Sequence, residues 1–475
     1  MTYTFSLPSS LTRRTHPALV LLTTSLGVLI AQIDTSVVNL ATKHIGADLN
    51  ASVSALQWVI DAYNLVYASF LLTGGTLGDL YGRRLTFMLG IVLFTLGSLI
   101  CGVAPNATAL IAGRAVTGLG AALELPTSLA LLTVAYPDSR KRVWAIGVWA
   151  GCNGLGMIIG TTIGGLLVDS VGWRSIFLVI IPICVAMLLL SVGVVSETSQ
   201  PKGRRLDLMG QALAVTALGS LSFAAIEGAH LGWTSAPVLT AITLLVISVP
   251  AFVRVERGQS GGLVPFDLFH SRVFSVALAV AACMTFGMYA MLFLTPLYLQ
   301  TVRHASALVA GFEMLPLAVT FVALAQYSGR LANSLGARVV MTSGMMLMGL
   351  GCLLMGCISD HTAFWPILLA LVAIGAGLGL NAGPVMAVAV ANAPAARSGT
   401  ASGLGNTARI VGATLGVAML GAIFAAHSGG EGSQRIADLL TGWRLAYRGA
   451  SLSEFLGAAL VLFLIRGDSH LPPKA

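Results

Sequence analysis

The loop Gly75-Thr-Leu-Gly-Asp-Leu-Tyr-Gly-Arg-Arg84 decides the fold, because a related loop returns in the second half of the chain. The later loop reads Gly329-Arg-Leu-Ala-Asn-Ser-Leu-Gly-Ala-Arg338. At one fixed offset the identical pairs are Gly75 with Gly329, Leu77 with Leu331, Gly82 with Gly336 and Arg84 with Arg338, and Asp79 meets Asn333. Each loop directly follows the second long apolar run in its half of the chain. Chance similarity between two glycine-rich loops does not explain this shared position, so the pattern indicates an internal repeat.

The apolar runs around these loops predict an all-α membrane protein. The chain has 475 residues, of which 56% are hydrophobic and 9% are charged. Soluble domains carry about 25% charged residues. A membrane-spanning helix needs about 20 apolar residues, and fourteen such runs follow one another between residues 17 and 466. We therefore expect 14 transmembrane helices, with lipid solvating most of the surface.

The repeat divides these helices into two bundles with an inserted pair between them. Repeated bundles with a binding site between them are the architecture of secondary transporters. The predicted segments are 1–16 (cytoplasmic N-terminus), 17–195 (N-terminal six-helix bundle), 196–270 (inserted pair of transmembrane helices with flanking cytoplasmic loops), 271–446 (C-terminal six-helix bundle and outer loop) and 447–475 (fourteenth helix and cytoplasmic tail).

The basic residues predict which side of the membrane each loop faces, since cytoplasmic loops carry an excess of Lys and Arg. With a cytoplasmic N-terminus, the inner loops and tails hold 18 Lys and Arg residues, and the outer loops hold six. Five tryptophans then fall at the outer interface: Trp58, Trp173, Trp233, Trp365 and Trp443. Both termini are therefore expected in the cytoplasm, with the protein in a plasma membrane of the bacterial inner-membrane type.

Other classes of function leave no signature in the sequence. The net charge of +8 comes largely from short loops between spans, which the membrane charge rule explains without nucleic acid. The six cysteines form no CxxC pair, and the eight histidines form no metal-ligand pattern. No Walker A, HExxH or GxSxG motif is present. We expect no enzymatic activity, no cofactor and no metal site.

Four motifs resemble one transporter family. Gly75-x-Leu-x-Asp79-x-x-Gly82-Arg83-Arg84 resembles the loop signature of the major facilitator superfamily. Ile33-Asp34-Thr35-x-Val37-Val38-Asn39-x-Ala41 looks like the first-span signature of its fourteen-span drug:proton antiporter branch. Arg114-x-x-x-Gly118-x-Gly120-Ala121-Ala122 is similar to the span-four signature, with Thr117 where glutamine is usual. Gly156-x-x-x-Gly160-Thr161-x-x-Gly164-Gly165 is similar to the antiporter signature of span five, with Thr161 where proline is usual. The resemblance covers nearly the whole chain and implies the major facilitator fold.

The loop Gly75–Arg84 is predicted to be a gate. Gly75 and Gly82 permit tight turning and close approach of helix ends. Asp79 is placed to cap the neighbouring helix or to pair with an arginine across the bundle interface. The resemblance implies that this loop holds the inward side closed and releases during rocking. An ordinary positive-inside loop would explain Arg83 and Arg84, but it would not explain the spacing of the aspartate and the glycines.

The glycines of span five predict a close helix contact. Gly156, Gly160 and Gly164 recur every four residues, and a face without side chains lets another helix approach closely. The resemblance places this seam, with Gly165, between the two bundles. Thr161 is expected to bond a backbone carbonyl one turn back and to bend the helix.

Asp34, Arg114 and Asp61 are the candidates for proton coupling, because ionisable residues inside a membrane are costly and usually functional. Asp34 lies about 8 Å below the outer end of span one, and Arg114 lies about 9 Å down span four, at 1.5 Å per residue. This match in depth predicts that they pair. Asp61 lies at a similar depth in span two. A static structural ion pair, and a wet interfacial position for Asp61, are the alternatives.

Three further polar residues are candidates for the substrate cavity: Glu124 near the middle of span four, Glu313 in the outer half of span ten, and Asn39 in the first-span motif. A polar contact between helices is the alternative for the two glutamates. Arg409 is expected to extend towards the cytoplasmic face from the inner end of span thirteen, and Glu227 to be exposed at the outer end of span seven.

The resemblance implies export of an antibiotic or drug-like small molecule in exchange for protons, as in multidrug resistance. A proton-coupled uptake symporter or facilitator for a small solute is the alternative. The expected partners are the small-molecule substrate, protons and the lipid bilayer, without nucleic acid, and the chain is expected to function as a monomer.

Overall fold

The computed structural model describes residues 16–199, 206–258, 264–394, 397–427 and 436–465. Apart from His16, the predicted N-terminal segment 1–16 lies outside these ranges, as does the tail after Ile465. The described chain is almost entirely helical.

Fourteen long helical segments follow one another in the described residues, if the broken helix α6–α7 is counted as one. The first bundle contains α1 (Pro17–Leu49), α2 (Val53–Tyr81), α3 (Arg83–Gly102), α4 (Ala107–Ala135), α5 (Ser139–Ser170), α6 (Ser175–Leu178) and α7 (Ile180–Val194). The inserted pair is α8 (Leu208–Leu231) and α9 (Ala236–Gly258), followed by a short 3₁₀ helix (Phe266–His270). The second bundle contains α10 (Arg272–Thr301), α11 (Ala307–Leu335), α12 (Ala337–Met355), α13 (Phe364–Ala391), α14 (Ser398–His427) and α15 (Ile436–Leu464).

Thirteen of these segments are long and apolar enough to cross a membrane. The remaining one, α2, is as long as its neighbours, but it carries Gln57, Asp61 and Asn64 in one half. The predicted all-α membrane fold is therefore confirmed.

Short polar side chains define where many of the helices begin. An oxygen of each of these residues accepts a hydrogen bond from a backbone N–H in the first turn of the helix that follows: Ser52, Asn106, Asp138, Asp207, Ser271 and Ser306. Such caps satisfy donors that a helix leaves unpaired at its start. Apolar runs interrupted by one such residue therefore become separate helices joined by short turns.

The last helix starts earlier than the sequence predicted. The predicted boundary at 447 differs from the structure, in which α15 begins at Ile436. The extra turns bury Leu440 and Trp443 against the second bundle, and Trp443 is fully buried. Because α15 packs on α10, α12 and α14, it is the sixth helix of that bundle. Residues 436–446, which the sequence predicted as part of an outer loop, are therefore helical, and the other predicted domain boundaries stay predictions.

The inserted pair lies beside the contact between the two bundles. Helix α8 packs on α2 of the first bundle and on α14 of the second. Gln211 donates a hydrogen bond to the carbonyl of Ser69 on α2 at 3.0 Å. At the other end of α8, Glu227 accepts hydrogen bonds from Ser54 and Trp58, both at 2.8 Å. Glu227, expected to be exposed, is thus bound to α2.

Candidate transport site

A cavity of about 1680 Å³ lies between the two bundles. Its wall includes Gln32, Tyr63 and Asn64 from the first bundle, and Tyr289 and Arg409 from the second. Small-molecule sites usually measure about 300–1,000 Å³. The cavity is therefore large enough for a drug-sized molecule.

The cavity opens at the end of the molecule where α2 meets α3, which we call the Asp79 end. Charged residues line its mouth there: Asp79, Arg83, Glu256, Arg257, Asp267 and Arg397. Two ion pairs join some of them, Arg83 with Asp79 at 2.9 Å and Arg397 with Asp267 at 3.1 Å. A solute can thus enter between the bundles at this end.

Contacts between the bundles close the cavity at the opposite end, which we call the Asp169 end. Asp169 of α5 accepts hydrogen bonds from the backbone N–H groups of Ala307 at 3.0 Å and Leu308 at 2.8 Å, at the start of α11. Lys43 donates to the carbonyl of Gln300 at 2.6 Å, and Gln300 donates to the carbonyl of Leu40 at 2.8 Å. The structure is therefore the state of the molecule that is open at the Asp79 end.

A fifth contact between the bundles lies on α2. The Nε2 group of Gln57 donates to the carbonyl oxygens of Val417 at 3.0 Å and Ala418 at 3.2 Å, both on α14. Gln57 is fully buried, so this contact is made away from solvent.

Asp34 and Arg114 form a buried ion pair, as their predicted depths required. The Nη1 atom of Arg114 lies 2.5 Å from Oδ2 of Asp34, and the two residues are 1% and 0% exposed. The Nε–H of Arg114 donates to the carbonyl of Val59 at 3.0 Å. The other carboxylate oxygen of Asp34 has no hydrogen-bond partner among the described residues. Within this pair, Arg114 therefore has more hydrogen-bond partners than Asp34, which keeps one unpartnered oxygen.

Tyr63 separates this ion pair from the cavity. The guanidinium carbon of Arg114 lies 4.6 Å from the centre of the Tyr63 ring, and Tyr63 is itself part of the cavity wall. Neither Asp34 nor Arg114 belongs to the wall. The pair is thus one side chain away from any molecule bound in the cavity.

The predicted gate loop is tied to its own bundle in this state. Arg83 bonds Asp79 one turn earlier in the chain, and the backbone N–H of Arg83 donates to the carbonyl of Thr198 at 2.8 Å. Glu197 accepts from the backbone N–H groups of Arg84 and Leu85, both at 3.0 Å.

Gly82 is required in this loop because its φ is +125° and because a Cβ there would lie 2.6 Å from the carboxyl carbon of Glu197. Gly75 lines the cavity. The loop therefore forms the rim of the open mouth.

Comparison with known proteins identifies the family. Residues 24–417 and 320–475 match the Major Facilitator Superfamily. The chain belongs to this family. Multidrug resistance protein Stp of Mycobacterium tuberculosis is 38% identical over 408 residues, which cover 86% of this chain and 76% of that protein. A methylenomycin A resistance protein of Bacillus subtilis is 34% identical over 406 residues, covering 85% of this chain and 87% of that protein.

A solved structure supports the same fold. The crystal structure of a D-xylose–proton symporter matches with a TM-score of 0.69 over 95% of this chain and 99% of that one. The sequence identity is 15%, so this likeness shows the fold alone. Two repeated bundles around a central cavity are the arrangement expected of a major facilitator protein.

The glycine face of α5 packs inside the first bundle of this major facilitator fold, which corrects the predicted position of the seam. Cβ atoms at Gly156, Gly160 and Gly164 would lie 2.9 Å or less from side-chain atoms of α1. The contact with the second bundle comes from the next face, where a Cβ at Gly165 would lie 2.7 Å from the carbonyl oxygen of Ala307. The hydroxyl of Thr161 donates to the carbonyl of Met157 at 3.0 Å, one turn back, as predicted.

Asp61 lies apart from the Asp34–Arg114 pair, on the side of the molecule where the inserted helix packs. It is fully buried and faces the hydroxyl groups of Ser222 on α8 and Thr414 on α14. It is not part of the cavity wall. Its predicted role in proton coupling therefore stays a prediction, and its surroundings differ from a wet interface.

None of the three predicted cavity residues belongs to the cavity wall. Glu124 is 3% exposed and packs on α1, where a Cβ at Gly27 would lie 1.8 Å from its Oε1. Asn39 is 2% exposed and donates to the carbonyl of Thr35 at 2.8 Å. Glu313 lies towards the Asp169 end, in electrostatic range of Arg303. The structure corrects these three assignments, because Glu124 contacts α1, Asn39 bonds its own helix and Glu313 lies near Arg303, all outside the cavity wall.

A second buried glutamate, Glu454 on α15, was missed by the sequence reasoning. It is fully buried, and both of its carboxyl oxygens lack a hydrogen-bond partner among the described residues. A Cβ at Gly287 of α10 would lie 2.4 Å from its Oε1. Its position inside the last apolar run of the sequence could have marked Glu454 as a candidate.

Proposed function

We propose that the protein exports drug-like small molecules across a bacterial inner membrane in exchange for protons. The observation that carries this proposal is the large cavity between the bundles, open at one end and with a buried ion pair one side chain behind its wall. The names of the similar multidrug and methylenomycin A resistance proteins support the substrate class.

The Asp79 end is proposed to face the cytoplasm. Basic residues are concentrated at the helix ends on this side, including Arg83 and Arg84 of α3 and the run Arg140–Arg142 of α5. Cytoplasmic loops carry such an excess of Lys and Arg. In this orientation the structure is the state that takes up substrate from the cytoplasm, and both termini are cytoplasmic.

Asp34 is proposed to carry the proton. A buried ion pair is stable only while both charges remain, since removing one charge leaves the other uncompensated. A proton arriving on Asp34 from the outer side would therefore weaken its bond to Arg114. Arg114 keeps the carbonyl of Val59 and the ring of Tyr63 as partners, so the arginine remains held while the aspartate is released.

The helix contacts supply a path from Asp34 to the other bundle. Asp34 is on α1, which packs closely on the glycine face of α5. Helix α5 in turn contacts the start of α11 through Gly165 and Asp169. A shift of α1 that follows protonation is therefore transmitted to the contacts that close the Asp169 end.

A drug-accumulation assay in an export-deficient bacterium tests the proposed function. Cells that express the protein should accumulate less of at least one compound of an antibiotic panel, and an uncoupler should abolish the difference. An equal effect with and without the uncoupler would contradict proton-driven export.

Proton movement in inverted vesicles tests the role of Asp34. With an acidic lumen, adding substrate should release protons from the lumen for the wild type but not for Asp34→Asn, because an amide does not titrate. Asp48→Asn is the matched control, since Asp48 is an exposed acid that pairs with Arg174 at the Asp169 end. Undiminished proton release by Asp34→Asn would remove this role from Asp34.

A further inference from the structure

Arg409 is the one charged residue of the described cavity wall that lies far from the mouth. The other charged residues of the wall are at the Asp79 end. Helix α14 enters from that end at Ser398, so Arg409 lies about 16 Å along the helix at 1.5 Å per residue. Instead of extending to the nearer membrane face, as predicted from the sequence, it is half-buried in the cavity wall.

Arg409 also has a free hydrogen-bond donor, unlike the fully buried Arg114. Its Nε–H is buried without a hydrogen-bond partner among the described residues. Arg114, by contrast, bonds Asp34 and the carbonyl of Val59. A cation at membrane depth is costly unless it is used or paired, and Arg409 forms no ion pair within the described part of the chain. The described residues therefore give the Arg409 guanidinium neither an ion-pair partner nor an acceptor for its Nε–H.

The other unpartnered buried polar atom of the described cavity wall is also a donor. It is the Nδ2 group of Asn64, on the opposite bundle. The buried acids Asp34, Asp61 and Glu124 are all absent from the wall. The two unpartnered buried polar atoms of the described wall are therefore both N–H donors, and one of them belongs to a positive charge.

Aromatic rings surround this positive charge. Tyr67 and Tyr289 line the cavity and lie in electrostatic range of Arg409. Phe321 and Met288 also line the cavity. Such side chains favour flat or cyclic apolar groups, while a guanidinium favours carboxylates and other oxyanions.

We propose that Arg409 is the anion-binding residue of the substrate site, so that the cavity selects amphipathic ring compounds with one acidic oxygen group over cationic compounds. This proposal rests on the export function proposed above, because it names the substrate class of the same cavity. An acidic substrate supplies the acceptor that Arg409 and Asn64 both lack. A cationic substrate would face a positive charge within the cavity, far from its mouth.

Direct binding of two dyes with the same xanthene skeleton tests the proposal. Fluorescein is an anion and rhodamine 123 is a cation, and fluorescence anisotropy with purified protein in detergent reports binding without any proton gradient. The wild type should bind fluorescein at least about tenfold more tightly, which is the loss expected for one charge-assisted contact.

Substitutions at Arg409 sharpen this test. Arg409→Gln should remove the preference, Arg409→Lys should keep part of it, and Arg409→Glu should reverse it towards rhodamine 123. Because Arg409→Glu gains affinity for a ligand, an unfolded variant cannot imitate the expected result. Arg448→Gln is the matched control, since Arg448 is an exposed arginine of α15 at the other end of the molecule. Equal or tighter binding of rhodamine 123 by the wild type, absence of fluorescein binding, or a preference that survives Arg409→Gln would overturn the proposal.

Voltage dependence separates this proposal from the export function. Exchange of one proton for one monovalent anion moves two net charges, whereas a neutral substrate moves one and a monovalent cation moves none. Each charge changes the equilibrium accumulation about 50-fold per 100 mV. In a buffer acidic enough to keep fluorescein as the monoanion, reconstituted vesicles should therefore show accumulation that rises with about the square of that factor. If fluorescein binds through Arg409 but is never driven by the gradient, the export function fails and the anion site stands.

Discussion

Asp169 is the carboxylate that joins the two bundles where the cavity is closed, and its removal should open that end. It accepts two backbone N–H groups at the start of α11, from Ala307 at 3.0 Å and Leu308 at 2.8 Å. Asp169→Ala removes both bonds and the negative charge that favours a helix N-terminus. The first bundle would then lose these hydrogen bonds to the start of α11, while the close packing of α5 on α11 remains.

The expected size of the effect follows from these contacts. Hydrogen bonds to a charged group contribute about 1.5–3 kcal/mol each, but the Asp169 side chain is 24% exposed, so water replaces part of that energy. We expect a net loss of about 1–3 kcal/mol for the closed Asp169 end. Since about 1.4 kcal/mol is a factor of ten, the population should shift roughly 5- to 150-fold towards the state that opens there.

Cysteine labelling measures this shift. Thr35 lies in the cavity wall, and Thr35→Cys in a background without the six native cysteines gives one reporter. A membrane-impermeant maleimide added from the Asp169 side should label it faster in Asp169→Ala by about that factor. The matched control is Asp48→Ala, which removes an exposed ion pair within the first bundle at the same end. An unchanged rate in Asp169→Ala, or an equal increase in Asp48→Ala, would refute the reasoning.

Three further predictions concern the gate loop, the helix packing and the topology. Asp79→Asn should leave the protein abundant in the membrane and reduce drug export severely, because the bond from Arg83 loses its charge. Gly160→Val should lower the free energy of unfolding in detergent by about 1–3 kcal/mol, since a Cβ there would lie 2.7 Å from the Cβ of Ser36. In variants with one cysteine each, Ser199→Cys should react only from the cytoplasm and the exposed native Cys357 only from outside.

Each of these predictions has an outcome that contradicts it. Full export by Asp79→Asn would mean that the loop acts only as a topology signal. Gly147→Val is the control for Gly160→Val, because a Cβ at Gly147 meets nothing within 4 Å; an equal loss of stability in both would exclude the α1 contact as the cause. Labelling of Ser199→Cys from outside would reverse the proposed orientation.

The helical architecture was predictable because lipid imposes it along the whole chain. Apolar runs of about 20 residues have few alternatives to a spanning helix, and the repeated loops showed that these helices form two bundles. The depth of a residue in the membrane was equally predictable. A fixed rise of 1.5 Å per residue places Asp34 and Arg114 at the same depth. Their contact at 2.5 Å follows from that level together with the cost of an unpaired charge.

The direction in which each side chain points around its helix was not predictable. A helix surrounded by other helices is apolar on every side, so periodicity does not mark the face towards the cavity. Glu124, Glu313 and Asn39 are therefore at a reasonable depth but lie outside the cavity wall. Arg409 shows the converse, because the sequence placed it near a membrane face and the structure places it in the cavity wall.

The inserted helix α8 has two unlike sides, and the difference determines which helices move together. Directional hydrogen bonds fix it to α2 through Gln211 and Glu227, whereas its packing on α14 includes the apolar contact of Ala225 and Ile226 with Ala418. Apolar contacts have no preferred direction, so a small displacement along them costs less than breaking hydrogen bonds. We therefore expect the inserted pair to move with the first bundle during transport, with sliding between α8 and α14.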